Sequence, residues 1–280
     1  MSHRPRSFIR LSTTAVATSL VLGSVAPSFA LSLASHRAMY SLEISRLDSK
    51  SGYSSIDGKL AYELLGSVCE GYAVNYRIAN RYVEAEKGSR ILDTQLTTWE
   101  SGDGLEMNLS QKQFVDNNLD SEERLKVKRA ATGSAASGSF TLPKPLDFTL
   151  AADAMFPSAH QTKLLEAAMA GKTRDVSMVF DGSDGEKIYK AITFIGKKRE
   201  PGSFALDQNN PETEPLRGMA SWPISISYFA NSDDAEAPVY QAGFNMYENG
   251  ISTDLLMDYG SYAMKGTLVK LDLLKVEACK

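Results

Sequence analysis

Residues 72–78 read Tyr-Ala-Val-Asn-Tyr-Arg-Ile, and the period of that stretch decides the fold. Tyr72, Val74, Tyr76 and Ile78 are separated by Ala73, Asn75 and Arg77. Successive side chains of a strand point to opposite faces, so this spacing predicts a strand with one dry face. Residues 222–228 repeat it, with Trp222, Ile224, Ile226 and Tyr228 alternating with Pro223, Ser225 and Ser227. The same alternation runs through 40–47, 60–68, 91–99, 105–115, 124–130, 176–180, 188–195, 239–247, 251–259 and 268–276. About thirteen strands are expected.

The links between these runs read as hairpins. Asn249-Gly250 suits a type I′ turn, in which both central residues take positive φ, and Asp184-Gly185 and Gly102-Asp103-Gly104 read as tight turns. The chain is therefore expected to be all-β, a long antiparallel meander forming a single curved sheet. Residues 131–138, small and polar, and 200–218, rich in Pro, Asn, Glu and Gly, read as loops. The second is long enough for a lid, a docking loop or a disordered span.

One segment has a different period. Ser158-Ala159-His160-Gln161 matches a capping box, and Leu164, Leu165, Ala168 and Met169 follow at helical spacing. Gly171 is placed to end the helix in a left-handed conformation. An amphipathic helix of about four turns is expected, its apolar side packed in the interior of the curved sheet.

The N-terminus carries Arg4, Arg6 and Arg10, then an uncharged stretch from Leu11 to Val25, then Ser28-Phe29-Ala30. This is the three-part pattern of a secretory signal peptide cleaved after Ala30. The apolar stretch is shorter than the ~20 residues of a spanning helix. No cysteine precedes Cys69, so no lipid-modified cysteine is expected at the cleavage site. Residues 31–280 are then expected to form a single periplasmic β-domain with no integral membrane segment. The terminal Val276-Glu277-Ala278-Cys279-Lys280 lacks the apolar final strand of an outer-membrane barrel.

The full chain has a net charge of −4; residues 1–30 hold three positive and no negative charges, so their removal gives −7. Such a domain repels phosphate backbones, and nucleic acid is not the expected partner. The densest basic run, Lys126-Val127-Lys128-Arg129, alternates like the solvated face of a strand.

No catalytic set stands out. His36 and His160, the histidines after residue 30, have no metal-type spacing, and no cofactor or metal is expected. Asp181-Gly182-Ser183-Asp184-Gly185-Glu186 is out of register for a calcium loop and reads as a turn. Gly171-Lys172-Thr173 lacks the first glycine of a phosphate-binding loop and follows a helix. Glu63, Glu84, Glu100 and Glu106 could supply paired carboxylates, although their ordinary place is the wet face of a sheet. The chain's two cysteines, Cys69 and Cys279, lie far apart in sequence. In an oxidising compartment they would pair as a disulfide; two separate free thiols are the alternative.

Taken with the leader, the meander and Leu164-Leu165, the segment Gly66-Ser67-Val68-Cys69-Glu70-Gly71-Tyr72 and the C-terminal Cys279 resemble the EipB family of cell-envelope integrity proteins over essentially the whole chain after residue 30. The resemblance implies a periplasmic protein with a spiral or incompletely closed β-barrel, similar in shape to the lipoprotein carriers LolA and LolB. It also implies an intramolecular disulfide that supports stability, and a role in resisting envelope stress. No catalytic or ligand-binding residue comes with it. A non-enzymatic factor that binds a periplasmic protein partner is the first expectation. A carrier of a lipid or lipoprotein acyl chain in the barrel interior is the second, and an unrecognised hydrolase the third.

Overall fold

The computed structural model describes residues 31–84, 88–203, 209–230 and 236–275. The expected cleavage site after Ala30 and the second cysteine, Cys279, lie outside them.

Among the described residues, fifteen strands form one sheet. The first eight are β1 (His36–Leu47), β2 (Tyr53–Ser67), β3 (Gly71–Glu84), β4 (Gly88–Glu100), β5 (Glu106–Val115), β6 (Asn118–Arg129), β7 (Ala136–Leu142) and β8 (Leu146–Leu150). The short β9 (Ala154–Met155) leads into a helix, α1 (Pro157–Met169). Then follow β10 (Arg174–Val179), β11 (Tyr189–Ile195), β12 (Ser221–Ala230), β13 (Tyr240–Tyr247), β14 (Ser252–Asp258) and β15 (Tyr262–Leu273).

Apart from β8 and β9, each strand pairs with its sequence neighbours, antiparallel except for β9 with β10, and the first strand pairs with the last. The order thus runs from β8 back to β1, across to β15, and down to β9. The two outermost strands, β8 and β9, are joined by three residues, yet no ladder pairs them. The result is the expected all-β, incompletely closed barrel, with one seam.

Side chains close what the backbone leaves open. A single apolar cluster joins Leu109, Leu125 and Leu150 from one side of the seam to Ala154, Phe156 and Phe180 from the other. Arg129, at the end of β6, points inward and is buried; its Nη2 donates to Ala154 O at 2.7 Å and its Nη1 to Ala152 O at 3.3 Å. The same guanidinium lies 5.1 Å from the Phe156 ring centre, a cation–π contact. Arg129 therefore departs from the expected solvated face: Lys126 and Lys128 are exposed, but Arg129 shares its face with Leu125 and Val127.

Two further expectations change. Residues 136–138 begin β7 instead of continuing a loop. Their smallness has a steric cause, since a Cβ on Gly138 would lie 2.2 Å from the Phe148 ring of β8. The stretch 200–218 ends in a short 3-10 helix, Pro211–Leu216, docked on β15: Asn210 donates to Leu268 O, Glu212 accepts from Leu271 N, and Leu216 is fully buried. This docked end is not a lid.

The turns also differ in detail. At 247–251 only Gly250 has positive φ, and Gly250 N donates to Tyr247 O, a turn followed by one left-handed residue. Among the described residues, the turn with two consecutive positive φ values is Asp116-Asn117, between β5 and β6.

Candidate functional site

Helix α1 closes one part of the barrel interior. Leu164, Leu165, Ala167 and Ala168 pack against Leu64, Tyr72, Trp222 and Ile224 of the surrounding strands. Its C-terminus ends as the sequence predicts. Gly171 takes φ +73°, with Gly171 N donating to Ala168 O and Lys172 N to Ala167 O. Its N-terminus does not. Phe156 is the cap residue, no side chain within the helix caps it, and Gln161 reaches away to Gly250 O. The capping acceptor is Glu100, from the last residue of β4, whose Oε2 takes the Ser158 amide proton at 2.9 Å. A carboxylate at a helix N-terminus satisfies an orphan donor and meets the positive end of the helix dipole.

Beside this contact lies a cavity of about 650 Å³, walled by β2 to β5, the first turn of α1 and β11 to β13. Its apolar side is built by Val74, Ile78, Leu96 and Val239. Tyr76, Tyr228, Tyr240 and Tyr259 form an aromatic wall. Tyr228 and Tyr240 have ring centres 5.8 Å apart, and Tyr240 and Tyr259 5.1 Å apart. Burial pushes the Tyr228 and Tyr259 hydroxyls up to about 12, so both stay protonated at neutral pH. The alternation of residues 72–78 produces half of one wall: every inward residue from Val74 to Ile78 touches the cavity.

Glu100 is the unusual member. It is 2% exposed, and its Oε1 has no hydrogen-bond partner among the described residues. Burial raises its carboxyl from an ordinary 4.5 to about 7, against the opposing pull of the Ser158 amide and hydroxyl and the Ala159 amide. The other three candidate carboxylates lie where exposure rules place them. Glu63 pairs with Arg37 and accepts from Asn75, Glu84 pairs with Arg90 at 3.6 Å, and Glu106 pairs with Lys128. Glu100 is the correction to the expected wet face. Its signal in the sequence is parity, since it shares the inward register of Leu92, Leu96 and Thr98.

The remaining candidates are scattered. His36 bonds Ala34 O at 2.7 Å, and burial lowers the His160 imidazole to about 4. Asp181 accepts from the Ser183 amide and hydroxyl, closing a turn on itself. Cys69 lies in the turn between β2 and β3, and no free thiol occurs among the described residues. Outside the barrel, a polar groove of about 740 Å³ crosses β15 and β1 to β5, lined by Arg37, Glu63, Arg77, Lys112, Lys270 and Asp272. No helix of the described residues is long and apolar enough to cross a membrane.

An incompletely closed barrel, plugged by one helix and hollow beside it, is the class that this fold and cavity define. A family model described as EipB-like matches residues 27–275, and the chain belongs to that family. It is similar to the cell envelope integrity protein EipB of Brucella abortus (strain 2308), 33% identical over 282 residues and covering 95% of each chain. A crystal structure of a beta-barrel-like protein of a domain of unknown function from Brucella abortus matches with a TM-score of 0.80 and 33% identity. That match covers 88% of this chain and 100% of the other.

Proposed function

We propose that this protein is exported to the periplasm and maintains cell-envelope integrity as a non-enzymatic binding protein, holding a lipid or lipoprotein acyl chain in its barrel. The observation that carries the reading is the cavity of about 650 Å³ with one apolar and one aromatic wall. Cavities of this size and character suit small amphiphiles. A filled barrel would have favoured a purely surface role, so the hollow interior puts the acyl-chain reading ahead of the protein partner that the sequence suggests first. The envelope role is supported by family membership and by the name of the Brucella relative. The non-enzymatic reading is supported by the dispersal of the candidate carboxylates, three of which are paired with cations. A Cys69–Cys279 disulfide belongs to the same proposal, tying the turn after β2 to the C-terminal segment.

Native mass spectrometry of protein purified without detergent tests the reading. A co-purifying lipid, absent from a cavity-filling Thr94→Trp variant, is the expected result. Bare protein that also fails to take up added fatty-acyl chains would sink it.

The outer groove supports a second reading, a protein partner docked across β1 to β5 by charge pairing. Reversing Arg37 and Arg77 to Glu should then abolish capture of a specific periplasmic protein. Unchanged capture would remove the groove from consideration.

A further inference from the structure

We infer that the barrel interior selects an organic cation, a molecule with an apolar body and one ammonium group, its nitrogen held at Glu100 and its body among the tyrosines. This rests on the reading of the cavity as a binding site for apolar chains and narrows its occupant to one whose chain ends in an ammonium and carries no anionic head.

Three observations converge. The first is the unmet oxygen. Glu100 lines the cavity and is 2% exposed; its Oε2 accepts from the Ser158 amide, the Ser158 hydroxyl and Ala159 amide are also directed at the carboxyl, and its Oε1 meets no hydrogen-bond partner among the described residues. Leaving a buried carboxyl oxygen without a partner is costly in either protonation state: ionised it lacks a counter-charge, and protonated it lacks an acceptor. An ammonium group supplies both donor and charge. The second is the sign of the lining. Among the described residues, the charged groups facing the cavity are Glu100 and Asp181, and no Lys, Arg or His lines it. An anionic head, whether carboxylate or phosphate, would enter without a partner and against two like charges. The third is the wall of rings. Tyr76, Tyr228, Tyr240 and Tyr259 present aromatic surface to the same space, and such faces attract cations as well as apolar bodies.

A metal ion is a poorer occupant. Calcium takes six to eight oxygen ligands, and magnesium keeps several waters around one or two carboxylates and the phosphates of a substrate. No group of three acidic, histidine or cysteine side chains suited to a metal occurs among the described residues.

The test uses three probes that share one chain and differ only in the head: octylamine, octanol and octanoate, titrated calorimetrically into the purified protein at pH 7.5. Octylamine should bind at least tenfold tighter than octanol, and octanoate should bind most weakly. Glu100→Gln, which keeps an acceptor for the Ser158 amide, should erase the preference for octylamine while octanol binding persists. Circular dichroism establishes that the variant is folded. Equal binding of octylamine and octanol to the parent protein would overturn the cation inference and leave the cavity reading standing. A preference that survives Glu100→Gln would also overturn it, by placing the nitrogen elsewhere. If none of the three probes binds the parent, both readings fall.

Discussion

Arg129 on β6 and Ala154 on β9 are joined across the barrel's seam by a 2.7 Å hydrogen bond from guanidinium to carbonyl. The sheet's ladder ends on either side of this contact, so one side chain does there what backbone pairing does elsewhere.

Replacing that side chain should loosen the seam. Arg129→Met keeps much of the apolar stem but leaves the Ala152 and Ala154 carbonyls without their donor. A loss of roughly 2 kcal/mol is expected, the scale of hydrogen bonds to charged groups. Amide exchange should accelerate at residues 150–156 before it does in β1 to β4. Uniform acceleration through the whole sheet would show that the seam is not a separate weak point. Arg129→Lys should recover only part of the loss, because an ammonium cannot reproduce the planar fork.

Glu100 should make the protein less stable as pH rises through the window from its ordinary 4.5 to about 7. Below that window both folded and unfolded chains hold the proton. Within it the folded state holds more, so stability falls with pH, and above it the curve flattens. The full effect is on the order of 3–4 kcal/mol at most, from ~1.4 kcal/mol per pKa unit. Tyr62 of β2 and Ser158 of α1 face the carboxyl, and neither changes charge in this range. Glu100→Gln should therefore melt above the parent at pH 8, with the gap closing near pH 4.5. Parallel melting curves would contradict a buried carboxyl that titrates late.

Cys69→Ser and Cys279→Ser should lower the melting temperature equally under oxidising conditions and leave the β-sheet circular dichroism intact. Closing a loop of roughly two hundred residues restricts the unfolded chain by up to about 5 kcal/mol. Mutant and parent melting together would argue for two independent thiols.

Gly138→Val should destabilise through one collision. Its side chain would enter the space of the Phe148 ring, which also packs on Phe140 and Phe180. A cost of about 1–3 kcal/mol in denaturant unfolding follows from overpacking. A smaller partner, Phe148→Leu, should relieve part of it in the double variant; strict additivity would mean that the two residues do not compete for space.

These residues also mark where the sequence could be read. Large apolar residues at every second position make β3 and β12 legible, because burial of one face leaves its period in the chain. Strand β7 escapes that signal, since its inward position at Gly138 must be small to admit a ring from the next strand. Glu100 and Arg129 are hidden for the opposite reason. Charge suggests solvent, but their registers put them inside, where partners distant in sequence satisfy them. The helix cap is illegible for the same cause: Ser158 has the residues of a local capping box, yet a carboxylate 58 positions earlier takes the role. The cavity depends on how far fifteen strands curve before their edges meet, and no local period records that.

The pairing of β1 with β15 sets a condition on how the molecule is made. Its first strand must wait for its last, so the middle of the sheet is completed only after β15 has been made, while the mid-chain hairpins can assemble earlier. Contacts between such distant parts of a chain form slowly. Until then β1 keeps an open edge that could recruit another unfinished copy. Folding of this protein should therefore respond to crowding and to chaperones through its earliest strand, far in sequence from the seam between β8 and β9.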